Sequence, residues 1–489
     1  MTAAAAASAA PRRRAHPLTL IIAKEWADLR RDARWRILLG VTLALMLAAL
    51  ALGLQQSHRL HDAHEQAELG DRQVWTAQGA KNPHSAAHFG QYAYKPVGPL
   101  ALAEPGVDAY VGQAIWLEAH KQNEGQFRAA RDGSLAARMG QLNLAFVLQT
   151  VLPLMALLLG HAAWAGEREQ GTLRQLLSLG VRTSQLMAGK ALTAAALLLA
   201  LLLLAGAGLG LGLLLGGEGL EFSADQGLRL LGLLLSYGLY LLGFLLLALA
   251  VSAALPNPRL ALIALLAFWL LNSFLLPRWV SETVRISDPL PTAATFRSAI
   301  ATDKKAQFGH DEKHPGFIAF RERVLRQYGV SHIEALPVSF RGLSLREDDQ
   351  AGYRIFDQHF GRLQAQVEEQ DARRAAAGMV FPLLALQPLS MAMAGTDNRH
   401  QHHFVRAAEA HRRVIQTAAS QDLIDNAKPG DTSYTAPPDL WRRIAAFSYS
   451  PPTVSWAWQS QGRNLVALLL WCLACGAAAA LAARRLRPL

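Results

Sequence analysis

The chain has 489 residues, of which 52% are hydrophobic and only 17% charged, with a formal net charge of +11. Soluble globular proteins carry about 25% charged residues, and here the deficit is confined to a few apolar runs, which excludes one soluble domain. The cations gather at the ends of those runs, with no zinc-finger spacing and no basic-aromatic face, so membrane topology explains them and nucleic acid is excluded as a partner.

In chain order, the low-complexity MTAAAAASAAP has its basic cluster after the alanines rather than before an apolar run. It is therefore no signal peptide, and the first span is expected to remain as an anchor. Six apolar runs follow, at residues 37–54, 142–165, 191–215, 228–255, 260–276 and 465–483. Each is near the roughly 20 residues that cross about 30 Å of hydrocarbon as a helix, and none has a charged residue in its centre. Six spans put residues 1–36, 166–190, 256–259 and 484–489 on one side. These carry Arg12, Arg13, Arg14, Lys24, Arg30, Arg31, Arg34, Arg36, Arg168, Arg174, Arg182, Lys190, Arg259, Arg484, Arg485 and Arg487. The short loop at 216–227 has Glu218, Glu221 and Asp225 and no cation. Cytoplasmic loops hold the excess of Lys and Arg, so both termini are expected in the cytoplasm.

Residues 55–141 and 277–464 then lie outside, and we expect them to pack together as one extracytoplasmic domain. They read as mainly helical. Tyr353, Phe356, Phe360, Leu363 and Val367 recur at helical spacing, as do Phe404, Ala408, His411 and Ile415. HPGFIAF and SYSPPTVSWAWQS carry the Pro and Gly that interrupt helices. The expected fold class is an all-α polytopic membrane protein: six transmembrane helices with a large, mainly helical extracytoplasmic domain built from two insertions.

The loop between the second and third spans, GEREQGTLRQLLSLGVRTSQLMAGK, is richer than a turn requires. Its arginines satisfy the positive-inside rule, but its glutamates contribute nothing to that rule. Leu173, Leu176 and Leu177 recur as on a short amphipathic helix that lies at the membrane surface and presents its charges to a partner. In the third span, Gly206, Gly208, Gly210 and Gly212 form two small-x-x-x-small pairs, which permit close helix packing within the bundle or across a dimer. Cys472 and Cys475 lie inside the last apolar run and read as packing residues. Outside, His58, His61 and His64, then His84 and His88, then His400, His402 and His403 near Met391 and Met393, cluster along the sequence. Imidazole with thioether suits copper, so His400, His402, His403, Met391 and Met393 are a candidate metal set beside the plainer reading of core and surface histidines. No H-E-x-x-H, G-x-S-x-G or acidic pair on one helix face supports a catalytic site.

The loop resembles the cytoplasmic loop of the ABC-2 type transporter permeases, in which an E-x-E-x-G-T-L segment after the second span forms a coupling helix seated in a cleft of the ATPase subunit. The matching residues are Glu167, Glu169, Gly171, Thr172 and Leu173. Gly180 stands where that family usually has Pro. The segment AKEWADLRRDARWR, residues 23–36, resembles the amphipathic elbow helix that precedes the first span in those permeases. The outer stretches at residues 82–123 and 386–404 are similar to the permeases that carry the domain of unknown function 3526.

This resemblance implies a permease subunit in a bacterial inner membrane, with a periplasmic outer domain and a second permease half, identical or paralogous. It also implies docking of ABC ATPase subunits on Glu167, Arg168, Glu169, Gly171, Thr172, Leu173, Leu176 and Leu177. ATP and magnesium would bind the partner: the nearest approach to G-x-x-x-x-G-K-[ST] in this chain has Ser184 for the first glycine and Ala191 after Gly189-Lys190. No cofactor is expected in the chain itself. Two further readings are mechanotransmission to a periplasmic partner without transport, and a permease of copper-enzyme maturation.

Overall fold

The computed structural model describes residues 16–128, 142–215, 223–307 and 311–486. Arg12, Arg13, Arg14, Glu218, Glu221 and Arg487, used above to orient the chain, lie outside the described residues. Helix α1, Pro17–Arg31, begins with a proline, whose missing N–H costs nothing in a first turn, and the His16 ring caps it by accepting from the Leu18 N–H. Asp32 then breaks the chain and its carboxylate caps α2, accepting from the Arg34 N–H at 2.9 Å.

Helix α2, Ala33–Thr76, has 44 residues and does not stop where its apolar stretch ends. No proline interrupts it, and the polar continuation is rich in Gln, Glu, Ala and Arg, which favour helix. The remaining spans are Leu144–Glu169, Thr183–Leu214, Ala224–Ala254, Pro258–Ser287 and Gly462–Arg484, so among the described residues six helices are long and apolar enough to cross a membrane.

Two spans carry a π-helical turn. In the second, Val147–Val151 leads into α5, Leu152–Gly160; in the fifth, Leu271–Leu275 joins α10, Pro258–Leu270, to α11, Leu276–Ser287. A proline follows each. Pro153 has no N–H for the carbonyl four residues back, and the Tyr240 hydroxyl donates to that Gln149 carbonyl instead, at 3.2 Å. Trp269 Nε1 donates to the neighbouring Thr150 carbonyl at 2.9 Å.

The bundle packs around α9, Ala224–Ala254, which buries Tyr237, Tyr240, Phe244 and Ala248. Gly243 on α9 lets the last span approach: a Cβ there would lie 1.9 Å from the Trp471 ring. Parts of the outer segments also enter this core, among them Leu102, Ala103, Val454 and Ala457. Helix α15, Pro382–Ala394, packs Leu383, Leu386, Leu389 and Met393 among the span residues. Arg229, buried near the start of α9, donates to the carbonyls of Ala392 and Met393 at the end of α15 and to that of Pro452.

Beyond the bundle the two long segments share one core. From the first come α3, Pro83–Phe89, the short helix α4, Asp108–Val111, and an antiparallel sheet of β1, Gln91–Tyr94, β2, Ala114–Glu118, and β3, Lys121–Gln122, in that order. From the second come α12, Ala293–Lys304, α13, Pro315–Tyr328, α14, Phe340–Ala377, α16, Asn398–Asn426, and α17, Asp439–Arg443. Trp75 at the end of α2 donates its indole N–H to the Trp441 carbonyl at 3.1 Å, amid Ile115, Leu117, Phe404 and Ile415. Both amphipathic stripes read from the sequence are helical, on α14 and α16. The fold is mainly helical, as expected, with two details that the sequence did not foresee. The sheet is present, and HPGFIAF starts a helix instead of breaking one, because Pro315 sits at the first position of α13 under a cap from the His314 ring.

Candidate functional site

After the second span the chain turns through α6, Ala165–Glu169, and α7, Thr172–Ser178, before α8, Thr183–Leu215. Ser252 at the end of α9 fixes the first turn, its hydroxyl accepting from the N–H groups of Trp164 and Ala165 at 3.0 and 3.2 Å. Gly171 links α6 to α7 at φ +73°, a left-handed conformation that glycine adopts at little cost. Leu173 is buried against Ile21, Trp164, Leu186 and Ala253, with Leu176 and Leu177 partly buried beside it.

Glu167 is buried, and its carboxylate is the centre of an ion-pair knot. One oxygen meets Lys24 Nζ at 2.9 Å and Lys190 Nζ at 3.0 Å; the other accepts from the Thr172 hydroxyl. Lys190 also reaches Glu25 at 2.7 Å. The knot therefore joins α1, α6 and α8. Burial opposes the charge on Lys24, but its hydrogen bond to Glu167 and the charges of Glu25 and Glu167 outweigh it and hold the ammonium pKa above its ordinary value. Arg168 lies beside the knot, donating to the Leu255 and Ala253 carbonyls at 2.5 and 2.9 Å and so capping the C-terminus of α9.

Two expectations are corrected here. Glu167 and Arg168 do not present their charges outward, because each is already bonded within the chain, one to the ammonium groups of exposed Lys24 and buried Lys190 and one to helix-end carbonyls. The outward face is instead Glu169, Arg174, Gln175, Ser178 and Leu179, all exposed, with Leu179 at 79%.

Sequence comparison assigns this six-span arrangement to a family. The family model described as ABC-2 family transporter protein matches residues 19–295, more than half of the chain. The chain belongs to the ABC-2 family of transporter proteins. A second model, the domain of unknown function DUF3526, matches residues 295–450 of this permease. No curated protein matches it.

In this ABC-2 permease the four glycines of the third span divide between two neighbours. A Cβ on Gly208 or Gly212 would come within 2.7 or 2.9 Å of Leu50 and Leu54 on α2, and one on Gly206 within 2.8 Å of Leu234 on α9. Gly210 faces Leu230 with room to spare, at 4.0 Å. Gly206, Gly208 and Gly212 thus let α9 and α2 approach the third span closely.

The His/Met set of the permease is divided between the bundle core and a pocket on the outer domain. Met393 is buried in the bundle, its sulfur against Gly232. Met391 lies on α15 and is partly buried. His400 is buried, with Nδ1 2.6 Å from Asp397. His402 and His403 line an open pocket of about 520 Å³ with Arg399 and Arg406. Burial, then the Arg406 charge, pushes the His402 pKa below its usual value; burial and the His400 and Arg406 charges do the same to His403. Guanidinium groups repel a metal cation, so this is a poor place for copper.

Sequence reasoning missed a second buried carboxyl. Glu104 follows the helical turn Pro99–Leu102 and enters the bundle from the outer side. It accepts from Ser390 Oγ at 2.8 Å, Gln149 Nε2 at 2.9 Å and the Gly106 N–H at 3.3 Å. The Tyr237 hydroxyl meets both Gln149 Nε2 and Ser390 Oγ at 2.9 Å. Burial pushes the Glu104 carboxyl above the usual carboxylate range, and the bonds from Ser390, Gly106 and Gln149 offset this only in part. Gly106, at φ +50°, is required: a Cβ would lie 2.4 Å from the Thr396 carbonyl oxygen. A lone acid ending the apolar LALAEPG was the available signal.

Proposed function

We propose that this permease subunit receives mechanical work from ATPase subunits docked on α6 and α7, and moves an as yet unidentified substrate across a bacterial inner membrane. The observation that carries this reading is the two-sided character of α7. Its leucines are held against α1, α8 and α9, while Glu169, Arg174 and Leu179 face away from the protein. A large apolar side chain at the tip of a charged turn fits the pattern of an apolar anchor with a polar rim. The knot around Glu167 gives the docked surface a connection. Because α1, α6 and α8 share one set of ion pairs, a push on α7 moves them together as a rigid body.

ATP and magnesium belong to the ATPase partner. A second permease half, identical or paralogous, would complete the pathway, and the positive-inside pattern supports a reading with α6 and α7 in the cytoplasm and the outer domain in the periplasm. The test is co-purification with the cognate ATPase and permease-stimulated ATP hydrolysis. Leu179→Asp, and the pair Glu169→Lys with Arg174→Glu, should each weaken association at least about tenfold, or about 1.4 kcal/mol. The melting temperature should stay close to wild type, since these side chains are exposed. Undiminished association and stimulation in both variants would overturn the docking assignment.

A further inference from the structure

Among the described residues one group of three histidines does converge, and it lies far along the chain from the set read in the sequence. His84 and His88 are four apart on α3, which puts them on one helix face. Their Nε2 atoms are 3.2 Å apart. His120 comes from the turn between β2 and β3, and its ring centroid lies 5.0 Å from that of His84 and 5.2 Å from that of His88. One ring nitrogen from each of the three lies within 4.8 Å of the others.

The fold builds this juxtaposition from several directions. Asn82 caps α3, accepting from the N–H groups of His84 and Ser85. The Ala119 N–H donates to the Ala87 carbonyl at 3.1 Å, and both alanines are buried together, which pins the turn against α3. His120 itself has φ +58°, a conformation uncommon away from glycine. Lys304 Nζ holds the His120 carbonyl at 2.5 Å. Behind the ring, Nδ1 lies 3.0 Å from Asp349 and 3.9 Å from Asp348, both on α14.

We propose that His84, His88 and His120 form a zinc(II) site, with Asp349 as the positioning residue for His120. Zinc–imidazole bonds of about 2.0–2.1 Å in tetrahedral geometry place ligand nitrogens about 3.4 Å apart, close to the separation of the α3 pair. A carboxylate against the second nitrogen of a ligating histidine is the usual outer-shell partner: it fixes the ring and raises its basicity. Three imidazoles with no thiolate suit zinc, and the fourth position is left to water. The site takes its ligands from the first outer segment and its orienting carboxylate from the second, so a bound ion stiffens the join between them.

The experiment uses the full chain in detergent, stripped with a chelator and titrated with zinc(II) against a chromophoric competitor. The variants are His88→Ala, His120→Asn, which tolerates the left-handed backbone, and Asp349→Asn. Wild type should bind one equivalent that His88→Ala and His120→Asn weaken at least 100-fold. Asp349→Asn should weaken it about 10- to 100-fold. Saturating cobalt(II) should give intense four-coordinate visible bands in wild type and Asp349→Asn but not in His88→Ala or His120→Asn, and zinc should raise the melting temperature of wild type but not of His120→Asn. Circular dichroism checks that the variants fold. Equal zinc binding by wild type and folded His120→Asn, or none by wild type, overturns the site.

Discussion

Glu167 and Glu104 are the same side chain buried in opposite halves of one bundle, yet Glu167 sits between two ammonium groups while Glu104 meets only amides and hydroxyls. The first arrangement needs full charge on both sides and ties three helices into one body. The second needs no charge at all: a protonated carboxyl can donate to Ser390, which can in turn donate to Tyr237, so every polar group keeps a partner. Burial of an acid therefore says little by itself; its neighbours decide whether it acts as an ion or as a hydrogen-bonding neutral group.

The comparison can be broken in four ways. Glu167→Ala should do the most damage, because it leaves Lys190 buried with only Glu25 beside it. A loss of about 3 kcal/mol in stability is expected, read from denaturant unfolding in detergent, and a change below about 1 kcal/mol would mean the knot is not formed. Glu104→Ala comes next, at about 2 kcal/mol for the donors it leaves unmatched. Glu104→Gln, which keeps the shape without the charge, should cost less than half of that.

Gly208→Leu should destabilise by about 1–3 kcal/mol through overpacking against Leu50, whereas Gly210→Ala should be close to neutral.

The smallest effect is in pH. Since the folded pKa of Glu104 is raised, its contribution is complete below the ordinary carboxylate value of about 4.3 and falls as pH rises from there through the folded value. Lys24, also raised, keeps its full contribution until the ordinary lysine value of about 10.4 and loses it only above that. Between about pH 5 and 9 the melting temperature of wild type should thus fall more than that of Glu104→Gln. Parallel curves would show that Glu104 is ionised throughout.

Much of the architecture was legible because apolar runs and flanking cations are local signals. The six spans, and the leucine stripe at Leu173, Leu176 and Leu177, needed only periodicity. The destination of Glu167 was not legible, since its partners Lys24 and Lys190 are distant in sequence and a charged loop residue reads as solvent-facing. Glu104 was hidden for a related reason: the sequence places it outside the spans, and only the packing of α15 beside Gln149 and Tyr237 encloses it. For the histidines, proximity along the chain misled. His400, His402 and His403 are neighbours on one helix, where His400 pairs with Asp397 and the other two share a pocket with arginines, while His120 reaches His84 and His88 only through a hairpin.

Helix α2 has a consequence for scale. Its 44 residues form a rod of about 66 Å, anchored beside the elbow helix at one end and locked by Trp75 to Trp441 at the other. With no proline to bend it, it acts as a lever arm: a tilt of about 10° at its base would sweep Trp75 through roughly 11 Å. A small stroke near α6 and α7 would then arrive at the outer domain magnified, and that domain's position would report the state of the transporter.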